Sequence, residues 1–280
     1  VSADRRLTPA TDRVAHVSLK GRVAASAWTE GRPARLGVPL AWLHAAPGGA
    51  RDRQLLMGTA LLEIDRQDGW VFVQTGCGYC GWLETAALAS PLEPPLAPTH
   101  WLAVPASHLY PAPKVQAPAG AALSLGAQLT VVGQAGAFAE LASGAFVPRA
   151  HLRPLDDRPA DPVTVAESLL GTPYLWAGNS HAGIDCSGLV QVAFHACGRA
   201  CPADSDLQWQ AFGPALAPGT PLRRGDLVFW RGHVALICDA TRILHANGHT
   251  MSVAHEGREA ALARIAAAGE GAFLGICRPA

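Results

Sequence analysis

The chain predicts a multidomain protein: an all-β N-terminal part followed by an α+β C-terminal part. Three observations lead there. From residue 37 to about 156, short apolar runs alternate with Gly, Pro and Asp-Gly breakers at strand-like spacing. From Asp161 onward, helix-length apolar segments are mixed with strand-length ones. Between the two patterns of the β part lies Pro91-Leu92-Glu93-Pro94-Pro95-Leu96-Ala97-Pro98, a stiff, extended linker. At 280 residues the chain can bury two or three separate cores.

Taken in order, residues 1–36 read as an arm on the following domain, with a possible strand at 15–19 and a breaker at Gly31-Arg32-Pro33-Ala34-Arg35. Runs 38–43, 54–57, 60–64, 70–74 and 81–83 then predict a small barrel over 37–90. After the 91–98 linker, runs 101–104, 122–125, 128–132, 138–141 and 144–147 repeat that layout faintly and predict a second barrel over 99–156. The third domain, 157–280, opens with Asp161-Pro162, a cap and first-position proline for a helix to Leu170. A second helix follows Asp185, and a third covers 207–212. Strands are expected at 226–230, 233–238, 242–246 and 250–254, then an Ala-rich helix at 260–268 and a last strand at 273–278. A helix on a mostly antiparallel sheet is an α+β arrangement.

Composition narrows the function. Lys+Arg and Asp+Glu balance at 22 each, so neither nucleic acid nor an anionic membrane is an expected partner. No run approaches the ~18 apolar residues that a membrane helix needs. Residues 1–10 lack a basic stretch followed by an apolar one, which gives a cytoplasmic expectation, or a periplasmic or secreted one if a leader was removed ahead of Val1. The seven cysteines are odd in number and scattered, as suits reduced thiols. Neither a cofactor nor a metal is expected, and nothing in the composition sets the oligomeric state.

The chemistry centres on Asp185-Cys186-Ser187-Gly188. Asp185 is a good cap, which places Cys186 in the first turn of a helix whose apolar face is Leu189, Val190, Ala193 and Phe194. Unpaired backbone N–H groups and the helix dipole there favour an anion, and the thiolate is the reactive form of cysteine. A structural cysteine is also at home on a helix, but the preceding polar loop argues for a nucleophile. His233 opens one strand after Arg231-Gly232, and His245 ends another ahead of Ala246-Asn247-Gly248. Cysteine, histidine and a polar group that orients the histidine are the parts of a thiol acyl-transfer enzyme.

With Gly171-Thr172-Pro173-Tyr174-Leu175-Trp176-Ala177-Gly178, Asp185-Cys186-Ser187-Gly188, Asp204-Ser205, Arg224-Gly225-Asp226-Leu227 and Gly232-His233-Val234-Ala235 in this order, the C-terminal part resembles the NlpC/P60 cysteine peptidases. The 37–90 segment, with its Asp-Gly-Trp and Gly78-Tyr79-Cys80-Gly81-Trp82, resembles the bacterial SH3 (SH3b) module. The resemblance implies two SH3b-like barrels ahead of a papain-like NlpC/P60 domain. It further implies Cys186 as nucleophile, His233 as base, His245 as the third position and the Tyr174 hydroxyl as an oxyanion donor. The substrate it implies is a murein peptide, cut between γ-D-glutamate and a diamino acid and carrying a free L-Ala amine. Asp185 and Ser187 match positions that receive the amine. Asp204, Ser205 and Trp176 lie in substrate-contacting stretches, and Tyr79 matches a closing residue from the first barrel. One departure stands out: Ala177 replaces the glycine usual after the tryptophan, which bears on substrate fit.

Rival readings have less support. Cys77-x-x-Cys80 lacks a second Cys-x-x-Cys or a thioredoxin-like pattern, so neither redox nor zinc chemistry is expected of it. Cys197, Cys201 and His195 read as core and loop residues, and His249 and His255 receive no role. A wall hydrolase, or an amidase or acyltransferase on the same scaffold, keeps the chemistry and changes the substrate. A non-catalytic wall-binding protein predicts loss of Cys186, His233 or Tyr174, and all three are present.

Overall fold

A computed structural model describes residues 4–90, 96–269 and 271–279. Most of the expected 91–98 linker therefore lies outside the described residues. The chain divides into two compact units, Val1–Leu155 and Asp156–Ala280.

In the first unit a six-stranded antiparallel sheet is formed by β1 (Arg32–Arg35), β2 (Leu40–His44), β3 (Arg51–Leu56), β4 (Ala60–Gln67), β5 (Trp70–Thr75) and β6 (Cys80–Glu84). Its order is β1-β4-β5-β6-β2-β3, so β1 and β3 are its edges and, among the described residues, the sheet is not closed where a closed barrel was expected. The difference starts at Pro33. The expected breaker is strand β1, with Pro33 opposite Leu62. Proline lacks the N–H that a central strand must donate, and an edge strand tolerates that loss. Ile64, Phe72, Cys80 and Trp82 form a core on this sheet, with Val14, Leu62 and Trp70 against it. Ahead of it, Val14–His16 pairs in parallel with Ala27–Thr29, and Val17–Leu19 is a 3₁₀ turn rather than more strand.

The remainder of this unit contains three small sheets. His100–Leu102 lies between Gln128–Leu129 and Leu152–Pro154, Val131–Ala135, Phe138–Leu141 and Phe146–Pro148 form a meander, and Ala106–His108 pairs with Ala122–Ser124. Leu102, Leu123, Ala127, Leu129, Leu141 and Val147 are their shared core.

The second unit is built on a five-stranded antiparallel sheet: β7 (Leu227–Trp230), β8 (His233–Ile237), β9 (Arg242–Asn247), β10 (Ser252–Gly257) and β11 (Phe273–Cys277), in the order β10-β9-β8-β7-β11. The helices are α1 (Pro162–Glu167), α2 (Cys186–Ala196), α3 (Ser205–Ala211) and α4 (Arg258–Ala268). Helix α2 lies against β8 and β9. Ala261 and Ile265 of α4 cover Val228, Trp230, Ala235, Ile237 and Ile243. With both faces covered, β7 is buried at every position, as a strand between two layers must be. Helix α1 stops at Glu167, short of the expected Leu170, and β10 starts at Ser252, because Met251 adopts φ +53° in the turn before it.

Candidate active site

The start of α2 is built by its own side chains. Asp185 has extended backbone, and its Oδ1 accepts the Gly188 N–H (2.6 Å) and the Ser187 hydroxyl (3.0 Å). That satisfies one of the unpaired donors of the first turn and keeps a carboxylate at the positive end of the helix dipole. Asp185, Cys186 and Ser187 are all buried. Gly188 is required by close approach, since a Cβ there would collide with the Gly178 carbonyl. That carbonyl accepts the Asp185 N–H at 3.1 Å and so fixes the loop to the helix start.

Tyr174 reaches the same place from the other side of the loop. Its N–H donates to the Met251 carbonyl (2.9 Å), and it forms an isolated parallel bridge with Ile184, next to the cap. Burial pushes its phenol well above the ordinary tyrosine range, and Cys186 and Asp185 act in the same direction. The phenol therefore stays protonated and can donate. Between these residues, Trp176 is 75% exposed, while Ala177 is buried at φ +61°. The loop holds Ala177 in a left-handed backbone conformation, which its methyl, absent from glycine, makes costly by about 1 kcal/mol.

Helix α2 lies against β8, which His233 opens. His233 Nε2 and His245 Nδ1 are 2.9 Å apart. Strand β9 buries His245 completely, and Trp230 lies against His233 with ring centres 5.5 Å apart. Burial disfavours the cation of both rings and pushes each below the ordinary histidine range. His245 Nε2 is 3.1 Å from Glu256 Oε2, off the axis of an aligned hydrogen bond, so the contact is mainly electrostatic. Arg264 holds both Glu256 oxygens, at 2.9 and 2.8 Å.

Asp204 is the residue ahead of α3 and Ser205 its first residue, with no side-chain cap bond from Asp204. Fully buried Gln208 ties α3 to the site by donating to the Ser187 carbonyl (2.9 Å), and Gln191 donates to the Cys201 carbonyl (3.1 Å). Tyr79 belongs to the first unit, where it is buried in the turn before β6 and its carbonyl accepts the Thr75 N–H (2.9 Å).

The structure therefore brings Tyr174, Asp185, Cys186 and Ser187 to one helix start, and His233 to His245. Glu256, Arg264, Gln208 and Trp230 carry no motif signal. Only the alternation of β10, which puts Glu256 on the face of Ala254 opposite His245, could have pointed to the first of them. Asp226, inside a quoted motif, is structural: it is buried and paired with Arg278 through both oxygens (2.8 Å each).

Among the described residues, Glu167, Cys238 and His255 could together hold a metal ion. Cys238 Sγ is 3.7 Å from His255 Nδ1, and His255 Nε2 is 3.8 Å from Glu167 Oε1. Arg224 already holds Glu167 Oε2 at 2.7 Å, which opposes a second cation.

Comparison with known proteins follows the same division. The NlpC/P60 family model matches residues 171–265, and the model of the bacterial dipeptidyl-peptidase SH3 domain matches residues 43–88. Dipeptidyl-peptidase 6 of Lysinibacillus sphaericus is 38% identical over 85 residues, 30% of this chain and 31% of that protein. Gamma-D-glutamyl-L-lysine dipeptidyl-peptidase of Bacillus subtilis (strain 168) is 27% identical over 220 residues, 69% of this chain and 71% of that one. The chain thus spans under a third of the first relative and about seven-tenths of the second. In fold it is similar to the crystal structure of an NlpC/P60 family protein from Bacillus cereus ATCC 10987, with TM-score 0.69, 21% identity, and coverage of 81% of this chain and 94% of that one.

Proposed function

From a chain whose residues 171–265 belong to the NlpC/P60 family and whose residues 43–88 are a bacterial dipeptidyl-peptidase SH3 domain, we propose a cysteine peptidase that cuts murein peptides after γ-D-glutamate. The observation that carries this reading is the helix start of α2, where Cys186 is flanked in the chain by Asp185 and Ser187, whose carboxylate and hydroxyl are hydrogen-bonded to each other at 3.0 Å. A carboxylate and a hydroxyl beside the nucleophile suit a substrate whose ammonium ends close to the cut bond.

In the proposed reaction His233 takes the Cys186 proton, and the thiolate attacks the γ-carbonyl of D-glutamate. The oxyanion is met by the Cys186 backbone N–H and the Tyr174 hydroxyl. As the tetrahedral intermediate collapses, the C–N bond breaks and the His233 imidazolium protonates the departing amine. Water, activated by neutral His233, then hydrolyses the thioester and restores the thiol. Asp185 and Ser187 receive the L-Ala amine, with Asp204, Ser205 and exposed Trp176 along the remaining peptide. Residues 99–156 are a second, divergent SH3b-like module. The relatives named for γ-D-glutamyl dipeptidyl-peptidase activity support the substrate class.

The test incubates the protein with L-Ala-γ-D-Glu-meso-diaminopimelate and its N-acetylated twin, with mass spectrometry of the products and Cys186→Ala as control. Release of L-Ala-D-Glu from the free peptide alone is expected. Cleavage of both peptides would remove the amine pocket and indicate a wall hydrolase, and cleavage of neither would overturn the reading.

A further inference from the structure

The polar series that begins with the His233–His245 hydrogen bond continues past His245 through an electrostatic contact with Glu256. On β10, Ala254 stands opposite His245, and Glu256, two residues on, shares that face. Arg264 of α4 returns to the same carboxylate with two charge-assisted bonds of 2.9 and 2.8 Å. The two partners come from adjacent elements, so one strand and the helix after it suffice to build the pair.

We propose that Glu256, clamped by Arg264, is a positioning residue that sets the tautomers of both histidines, so that His233 presents an unprotonated Nδ1 for the Cys186 proton. This rests on the reading of Cys186 and His233 as nucleophile and base. Arg264 holds Glu256 below the ordinary carboxylate range, so the carboxylate is ionised and can only accept or attract a proton. His245 is buried to 0% side-chain exposure and cannot turn to water instead. The proposal puts the proton on its Nε2, 3.1 Å from Glu256, because the negative charge attracts an N–H dipole there and repels a lone pair. Nδ1 of His245 is then an acceptor, and the 2.9 Å contact makes His233 Nε2 the donor. A neutral imidazole has one ring proton, so His233 Nδ1 is left bare. The opposite assignment puts a proton on His233 Nδ1 and removes the base.

A neutral histidine in third position supplies orientation but no charge. Here a carboxylate stands one residue further out, and Arg264 tempers it. Besides Cys186, whose proton the proposal passes to His233, the charged or titratable groups that act on the two rings include Glu256 from β10, Arg264 from α4, His249 from the turn after β9, and the rings themselves.

The first test is a two-bond ¹⁵N–¹H correlation spectrum of the unsubstituted, histidine-labelled protein. Nε2-protonated His245 and His233 are expected, and an Nδ1-protonated His245 would overturn the proposal without any variant. The second measures iodoacetamide alkylation of Cys186 across pH, read on its own peptide by mass spectrometry, in Glu256→Met and Glu256→Gln. The methionine variant should lower the rate near neutral pH by at least about tenfold and raise the midpoint. Glutamine, which keeps an acceptor, should recover much of it. Wild-type rates and midpoints in both folded variants would sink the idea. Alkylation needs no peptide, so a wild-type enzyme that cleaves neither stem peptide would defeat the proposed function while leaving this result readable.

Discussion

The unit that holds Cys186 contains another cysteine, Cys238, which has a histidine and a glutamate beside it, and the two cysteines differ in backbone setting. Cys186 opens α2, where N–H groups without helix partners and the dipole favour negative charge. Cys238 lies just past β8 in a turn, with its N–H given to the Arg242 carbonyl at 2.9 Å. Burial pushes its thiol up to about 11, and the Glu167 carboxylate adds to the shift. His255 Nδ1 at 3.7 Å does not offset this. The contrast teaches that a neighbouring imidazole is not enough. Burial and a nearby carboxylate keep the Cys238 thiol protonated, and Cys238 lacks the helix start at which Cys186 lies.

The comparison breaks most easily on activity. Cys186→Ala should reduce kcat/KM on the free stem peptide by at least about 10⁴-fold. Cys238→Ala should leave it within about twofold, with any loss confined to the melting temperature. Equal losses would mean that the Cys238 trio takes part in turnover.

A smaller effect sharpens the account of what Cys186 has and Cys238 lacks. Tyr174→Phe keeps the ring and removes the proposed oxyanion donor, so kcat should fall by about 10²-fold with KM little changed. A rise in KM at constant kcat would make Tyr174 a substrate contact instead.

The smallest effect is on stability against acid. Burial pushes His245 down to about 4 from 6.5. The unfolded chain then binds a proton that the native state refuses, so stability is present above about pH 6.5 and is lost as pH falls toward 4. Denaturant midpoints should fall over that window as His245 and the similarly buried His233 take up protons, and His245→Gln should remove part of the slope. An unchanged slope in that variant would place the acid sensitivity elsewhere.

Local chemistry was readable where it depends on neighbours in the chain. Asp185 as a cap, Cys186 in the first turn, and His233 at the start of a strand follow from capping rules and strand period. Pro33 shows the opposite case, because whether a proline interrupts a strand depends on which strand becomes the edge. Gln208 looks like an ordinary polar helix residue until the loop before α3 brings it to the Ser187 carbonyl. Glu256 and Arg264 read as a surface pair on adjacent elements until β10 is set in register with β9.

By itself, then, the sequence determined the helix that presents the thiol, the strands that carry both histidines, and the order of all-β and α+β parts. Those are consequences of short-range periodicity, caps and turns, which operate within a few residues. The tertiary structure alone decided that the first sheet stays open and that a second helix layer covers the sheet that carries both histidines. It also decided that a carboxylate and an arginine stand behind His245. Each of these depends on strand register and on which faces meet, and long-range pairing of that kind leaves no mark at any single position.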